Sequence, residues 1–134
     1  MNQQDTVLAA NRAFYAAFAT GDLVAMKAIW ATAYPVTCIH PGWAVLFGRS
    51  DVIASWRRIL GEPAAPGVQM HAARAHLFAD LAYVVCVEEI GGATLAATNI
   101  FIQEEGAWKL VHHQAGLVAD LLDVMPDMTS GTLH

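Results

Sequence analysis

Two histidines occupy positions from which an imidazole could move protons. His40 lies in "CIHPGW", at the end of a short β-branched run and directly before the Pro41-Gly42 break. His112 lies in "GAWKLVHHQAG", on what reads as the last long strand. Imidazole titrates near neutrality, so either side chain could act as general acid or base. Two readings of His40 stand side by side: a proton-transfer group at a pocket mouth, or a histidine that satisfies backbone groups at a bend. Trp43 follows the same break, and Tyr15 carries a hydroxyl that a buried ligand could use.

Other chemistries find less support. His112 and His113 are neighbours on a strand and point to opposite faces, so they cannot easily share an ion. His71 and His76 also differ in strand parity, and no Cys/His cluster has zinc spacing. There is no G-x-S-x-G and no phosphate loop. Cys38 and Cys86 sit far apart in apolar contexts and read as buried reduced thiols. No metal and no cofactor is expected. Carboxylates are sparse where a base would be wanted. Asp80, Glu104 and Glu105 fall at turns, and Glu88 lies near a hairpin end, where a solvated strand-end residue is the simpler reading.

The elements that must hold these residues are readable from periodicity. Asp5 or Thr6 can cap a first helix. Val7, Leu8, Asn11, Phe14, Tyr15 and Phe18 share one face of it by 3–4 spacing, and Gly21 ends it. Asp22 caps a shorter helix with Leu23, Met26, Ile29 and Trp30 inward. "VTCI" is a short strand and "PGWAVLFG" a loop. Ser50 and Asp51 open a third helix with Ile53, Trp56 and Leu60 inward and Arg57-Arg58 toward water. "GEPAAPG", residues 61–67, is a linker too short to separate domains. Strands then run at about 68–78, 81–90, 94–104 and 107–116, joined by Ala79-Asp80, Gly91-Gly92 and Glu105-Gly106. Helices first and antiparallel strands after argue α+β, with the helices on one face of a curved sheet.

Treating Gly91-Gly92 and Glu105-Gly106 as two-residue turns sets the register. Val84 then faces Asn99, Cys86 faces Ala97, Glu88 faces Leu95, Phe101 faces Leu110, and Asn99 faces His112. Alternation puts Asn99 and His112 among apolar residues on the helix-facing side and His113 on the other. A bulge would reverse this locally, because a one-residue slip flips every side chain.

The chain has 134 residues, 56% hydrophobic and 14% charged, with a net charge of −5. That is one domain's worth, with a core of about 5–117 and a tail over 118–134. Disorder is excluded as the main reading. Seven Lys and Arg against twelve Asp and Glu speak against nucleic acid. No apolar run approaches the ~18 residues of a membrane helix and no signal peptide is visible, so a cytoplasmic protein is expected. Both sheet faces are largely apolar. The outer one therefore suits a second copy of the chain, and an internal pocket would cover more apolar surface.

Helix, helix ending in Trp, "CIHPGW", "GRSDVIASWRRIL" and four strands closing on "GAWKLVHHQAG" together resemble the nuclear transport factor 2-like superfamily, in particular its SnoaL-like branch. The similarity covers roughly residues 5–117. It implies a cone: three N-terminal helices packed in a strongly curved antiparallel sheet, a pocket between them, and a homodimer through the outer sheet face. It also brings a choice of function. One option is a cofactor-independent lyase, isomerase or cyclase acting on a small apolar carbonyl compound. His40 and His112 would transfer protons, and Tyr15, Trp30, Trp43, Asn99 and Phe101 would bind the ligand. The other is a non-catalytic ligand-binding or dimerisation module. Fold alone does not choose between them.

Overall fold

A computed structural model describes residues 2–62 and 67–119. Most of the 61–67 linker and of the C-terminal tail lies outside the described residues. Helix α1 spans Gln3–Thr20. Its cap is Asn2, whose side chain accepts the Asp5 N–H at 2.8 Å, so the helix starts a little before the expected Asp5 or Thr6. Asparagine is among the strongest N-caps, and Asp5 then sits in the first turn, where the helix dipole favours an acid. Gly21 ends the helix at φ 70°, a left-handed position that glycine takes without steric cost. Helix α2, Leu23–Ile29, is capped by Asp22 as expected. Helix α3, Arg49–Leu60, opens at Gly48 without a side-chain cap, ahead of Ser50 and Asp51.

Six strands form one curved, unclosed sheet. They are β1 (Thr37–Ile39), β2 (Leu46–Phe47), β3 (Val68–Phe78), β4 (Leu81–Ile90), β5 (Ala93–Glu104) and β6 (Ala107–Leu117). The order across the sheet is β2-β1-β6-β5-β4-β3. The expected loop after Pro41 therefore contains a short strand, β2. The sheet is also not wholly antiparallel, because β1 runs parallel to β6. A parallel partner needs a long connection, and α3 with β3, β4 and β5 supplies it. Both predicted tight hairpins form. Gly91 and Gly92 have φ 56° and 83°, and Glu105 and Gly106 have φ 54° and 80°, the paired positive values of a turn that follows strand twist.

The helices cover the concave face. Val84, Cys86, Glu88, Leu95, Ala97, Asn99, Phe101, Trp108 and Leu110 are buried there as their register predicts. Phe14 of α1 and Trp56 of α3 meet edge to face, with centroids 5.5 Å apart, over this face. Truncating either to alanine would cost about 3–5 kcal/mol. Trp30, at the end of α2, is buried against the sheet and bridges to Leu110. Among the described residues no helix is long and apolar enough to cross a membrane.

Candidate active site

Four elements converge at one end of the concave face. Strand β1 points Cys38 inward and, two residues on, His40 just beyond its end. Strand β4 contributes Glu88, β6 contributes His113, and α1 contributes Phe18. His40, Glu88, His113 and Phe18 line a cavity of about 220 Å³. Trp43, Pro41, Ile59 and Ile90 complete its mostly apolar wall. The polar members are deeply covered by protein: Glu88 and His113 are each 1% exposed and His40 is 3% exposed. Ligand sites in proteins tend to have this make-up, a few convergent polar groups in an apolar hollow.

The polar groups belong to a directed network. Asn99 Nδ2 donates to Tyr15 Oη at 3.1 Å and to Asn11 Oδ1 at 2.9 Å. Tyr15 O–H donates to Glu88 Oε2 at 2.6 Å. The carbonyl oxygen of Asn99 is left to accept from His113 Nδ1, at 2.5 Å. That bond fixes the tautomer of a neutral His113, with its proton on Nδ1 and a lone pair on Nε2. The loop closes across 3.9 Å, from Nε2 back to Glu88 Oε2. This gap is too long for a direct hydrogen bond. Both residues beside it face the cavity.

His40 is fixed in the same way. Ser55 donates its hydroxyl proton to the Val52 carbonyl at 2.6 Å, so Ser55 Oγ can only accept from His40 Nε2, at 2.8 Å. The rings of Trp43 and Trp56 flank His40 with centroids 4.9 and 4.8 Å away. Outside the cavity, the Arg58 guanidinium lies over Trp43, 5.3 Å from its ring centre. The indole N–H of Trp56 has no partner among the described residues, but Trp56 lies behind His40 and does not line the cavity.

Burial sets the proton affinities. It lowers His113 from 6.5 to about 3, helped by the charges that His40 and His112 would carry, and it lowers His40 to about 4. Both imidazoles are therefore uncharged at neutral pH. Burial raises Glu88 above the ordinary carboxylate value, and the Tyr15 hydrogen bond opposes part of that rise. It also pushes the Cys38 thiol up to about 12 and raises Cys86, so neither is a ready thiolate. The arrangement therefore offers a carboxyl group shifted toward neutrality beside two neutral imidazoles, which are groups suited to proton transfer.

The expected site residues separate into three groups. His40 and Trp43 line the cavity. Tyr15 and Asn99 lie directly behind it, with their hydrogen bonds already committed to Glu88 and His113. Trp30 and Phe101 are fully buried core and do not reach it. His112 is a correction. It does not face Asn99 but pairs with Ile100, and it turns to the outer side, where Nδ1 meets Thr37 Oγ1 at 2.6 Å. The cause is one extra residue in β6. Phe101 pairs with Leu110 and Ile100 with His112, leaving Val111 as a bulge, after which Asn99 faces His113. Glu88 is the second correction. It is no solvated strand end, because Tyr15 of α1 covers it. Its parity, opposite Leu95 on the inner face, was the signal that could have found it.

The SnoaL-like domain family matches residues 7–120. Among solved structures, a candidate dehydratase of the nuclear transport factor 2-like family from Streptomyces avermitilis superposes with a TM-score of 0.79. It is 31% identical, covering 87% of this chain and 96% of that one. A candidate calcium/calmodulin-dependent protein kinase type II association domain from Thiobacillus denitrificans is 33% identical, with a TM-score of 0.75, covering 85% of this chain and 96% of that one. The F-box protein SKIP8 of Arabidopsis thaliana is 26% identical over 114 residues, 84% of this chain and 49% of that protein. The chain thus spans about half the length of this curated relative.

Proposed function

The chain belongs to the SnoaL-like domain family, and on that premise we propose that it is a cofactor-independent lyase or isomerase that moves protons on a small, mostly apolar carbonyl compound. The relatives named above divide between a candidate enzyme and a candidate association domain, so the reading rests on the site. The observation that supports it is the convergence of Glu88, His113 and His40 on one apolar-walled cavity.

Glu88 is the base in this reading. Its raised affinity for a proton brings it closer to working pH, where general bases are most effective. It takes a proton from the carbon next to the carbonyl. The same proton then returns to another carbon, as in isomerisation, or to a departing hydroxyl, as in a lyase. Tyr15 holds the carboxylate by one oxygen, and Asn99 holds the His113 lone pair toward it. His113 and His40 accept or relay protons without carrying charge at rest. The cavity, at about 220 Å³, is below the ~300 Å³ usual for drug-sized ligands, which favours a substrate of about one ring.

The test is deuterium uptake by small ketones in D2O, followed by NMR. Exchange faster than buffer is expected with the wild type. It should fall about 10²-fold or more in Glu88→Gln and His113→Gln variants that remain folded. Ketones that bind but never exchange would reduce the protein to a binding module. We also propose a homodimer through the outer sheet face, supported by its half-buried Tyr83, Val87, Ile100 and Ile102 and by Val85 at 42% exposure. A monomer mass by light scattering would remove that part.

A further inference from the structure

The polar groups that face the cavity share a property that none of them shows singly. The N–H of His113 is spent on Asn99, and the N–H of His40 on Ser55. The Tyr15 hydroxyl proton is spent on Glu88, and both Asn99 amide protons go to Tyr15 and Asn11. What remains toward the hollow is the Glu88 carboxylate, the base of the previous section, and the lone pair of His113 Nε2, while the free nitrogen of His40, Nδ1, has the Cys38 thiol 3.9 Å away. No Lys or Arg forms an ion pair with Glu88 among the described residues.

We propose that the polar end of the ligand is a hydroxyl seated between Glu88 and His113 that donates its one proton to either of these acceptors, so that the substrate is a small hydroxylated compound. This rests on the cavity's being the working site, and it narrows the carbonyl compound of the previous section to a hydroxy-carbonyl. The reason is desolvation. A carbonyl oxygen placed against lone pairs loses its water hydrogen bonds and gains none. A hydroxyl keeps a donor bond to an acceptor that would otherwise go unpaired. The 3.9 Å between Glu88 Oε2 and His113 Nε2 leaves both atoms without a bond to each other and within reach of one oxygen placed beside them. The wall of Phe18, Ile59 and Ile90 takes the apolar remainder.

The test uses three probes with one ring and different polar ends: cyclohexanol, cyclohexanone and cyclohexyl methyl ether. Binding is read by titration against the amide spectrum of the intact protein, with shifts expected at Glu88, Ile90 and His113. Cyclohexanol should bind about tenfold more tightly than the other two, the worth of one good hydrogen bond. In Glu88→Gln the new carboxamide can donate, so the preference should shrink or reverse toward cyclohexanone. The wild-type series decides by itself should that variant fail to fold. Cyclohexanone binding as tightly as cyclohexanol overturns the proposal, and so does no binding by any of the three. Deuterium uptake separates this from the catalytic reading. A preference for the alcohol without exchange on any ketone keeps the donor site and removes the catalysis. Exchange without the preference does the reverse.

Discussion

Glu88 and Glu89 are neighbours on β4, and each has a histidine at nearly the same distance. Glu88 lies 3.9 Å from His113 on the concave face, and Glu89 lies 3.8 Å from His71 on the outer face. Strand alternation alone separates them. The inner side chains are 1% and 2% exposed, and the outer ones 50% and 55%. Water screens the outer pair, and exposed pairs of this kind contribute roughly 0–1 kcal/mol. Protein covers the inner pair, so burial pushes the carboxyl up and the imidazole down and both groups resist charging. Distance is nearly the same; solvent access makes one pair part of a buried network and the other a surface contact.

The comparison breaks most severely at Asn99. Asn99→Leu removes the acceptor of His113 Nδ1–H and the donor to Tyr15 and Asn11, all buried. We expect a loss of about 2–4 kcal/mol in urea unfolding, and a loss below about 1 kcal/mol would mean that the inner network is not tied together.

Acid comes next. His113 and His40 hold folded values of about 3 and about 4 against an ordinary 6.5. The unfolded chain therefore binds their protons first. The stability they contribute is whole above about pH 6.5 and is lost as pH falls toward those folded values, with a slope of at most about 1.4 kcal/mol per pH unit for each. Glu88, raised, works the other way. Its contribution is whole below its ordinary value near 4.5 and is lost as pH rises through its folded value. Two histidines oppose one carboxyl, so net stability should fall between pH 6.5 and 4.5. His113→Gln should flatten that fall. A wild-type curve flat over this range would refute the assignment.

Adjacent histidines on β6 give a smaller contrast. His113→Ala should cost about 2 kcal/mol or more, through a lost bond and a cavity, whereas His112→Ala on the outer side should cost under about 1 kcal/mol. Equal costs would place both in the same surroundings. The smallest effect is the outer pair itself. A double-mutant cycle on His71 and Glu89 should return a coupling of about 0.5 kcal/mol or less, vanishing in high salt.

Much of this comparison was legible in the residue order. The Gly91-Gly92 turn pins the register of β4 and β5 all the way from Ile90↔Ala93 to Val84↔Asn99, so Glu88 was placed on the inner face from sequence. Its burial was not legible, because the side chain that covers it, Tyr15, is 73 residues away along the chain. The Glu105-Gly106 turn pins β6 only as far as Leu110. Beyond the bulge at Val111 the parity inverts, and with "HH" at 112 and 113 either choice leaves a histidine inside. A bulge has no residue signature of its own here.

By itself the sequence determined the α+β order, the helix faces, the two tight turns and, through periodicity, which residues could be inside. These depend on local geometry and on spacing of 3.6 or 2, which any reader of the chain can count. Tertiary structure alone decided that His113 rather than His112 meets Asn99, that Glu88 is buried, and that the donors of Tyr15 and Asn99 are spent on neighbouring side chains. Those outcomes depend on a one-residue slip and on contacts between distant segments. Proton affinity and hydrogen-bond direction follow from the surroundings of a group rather than from its identity.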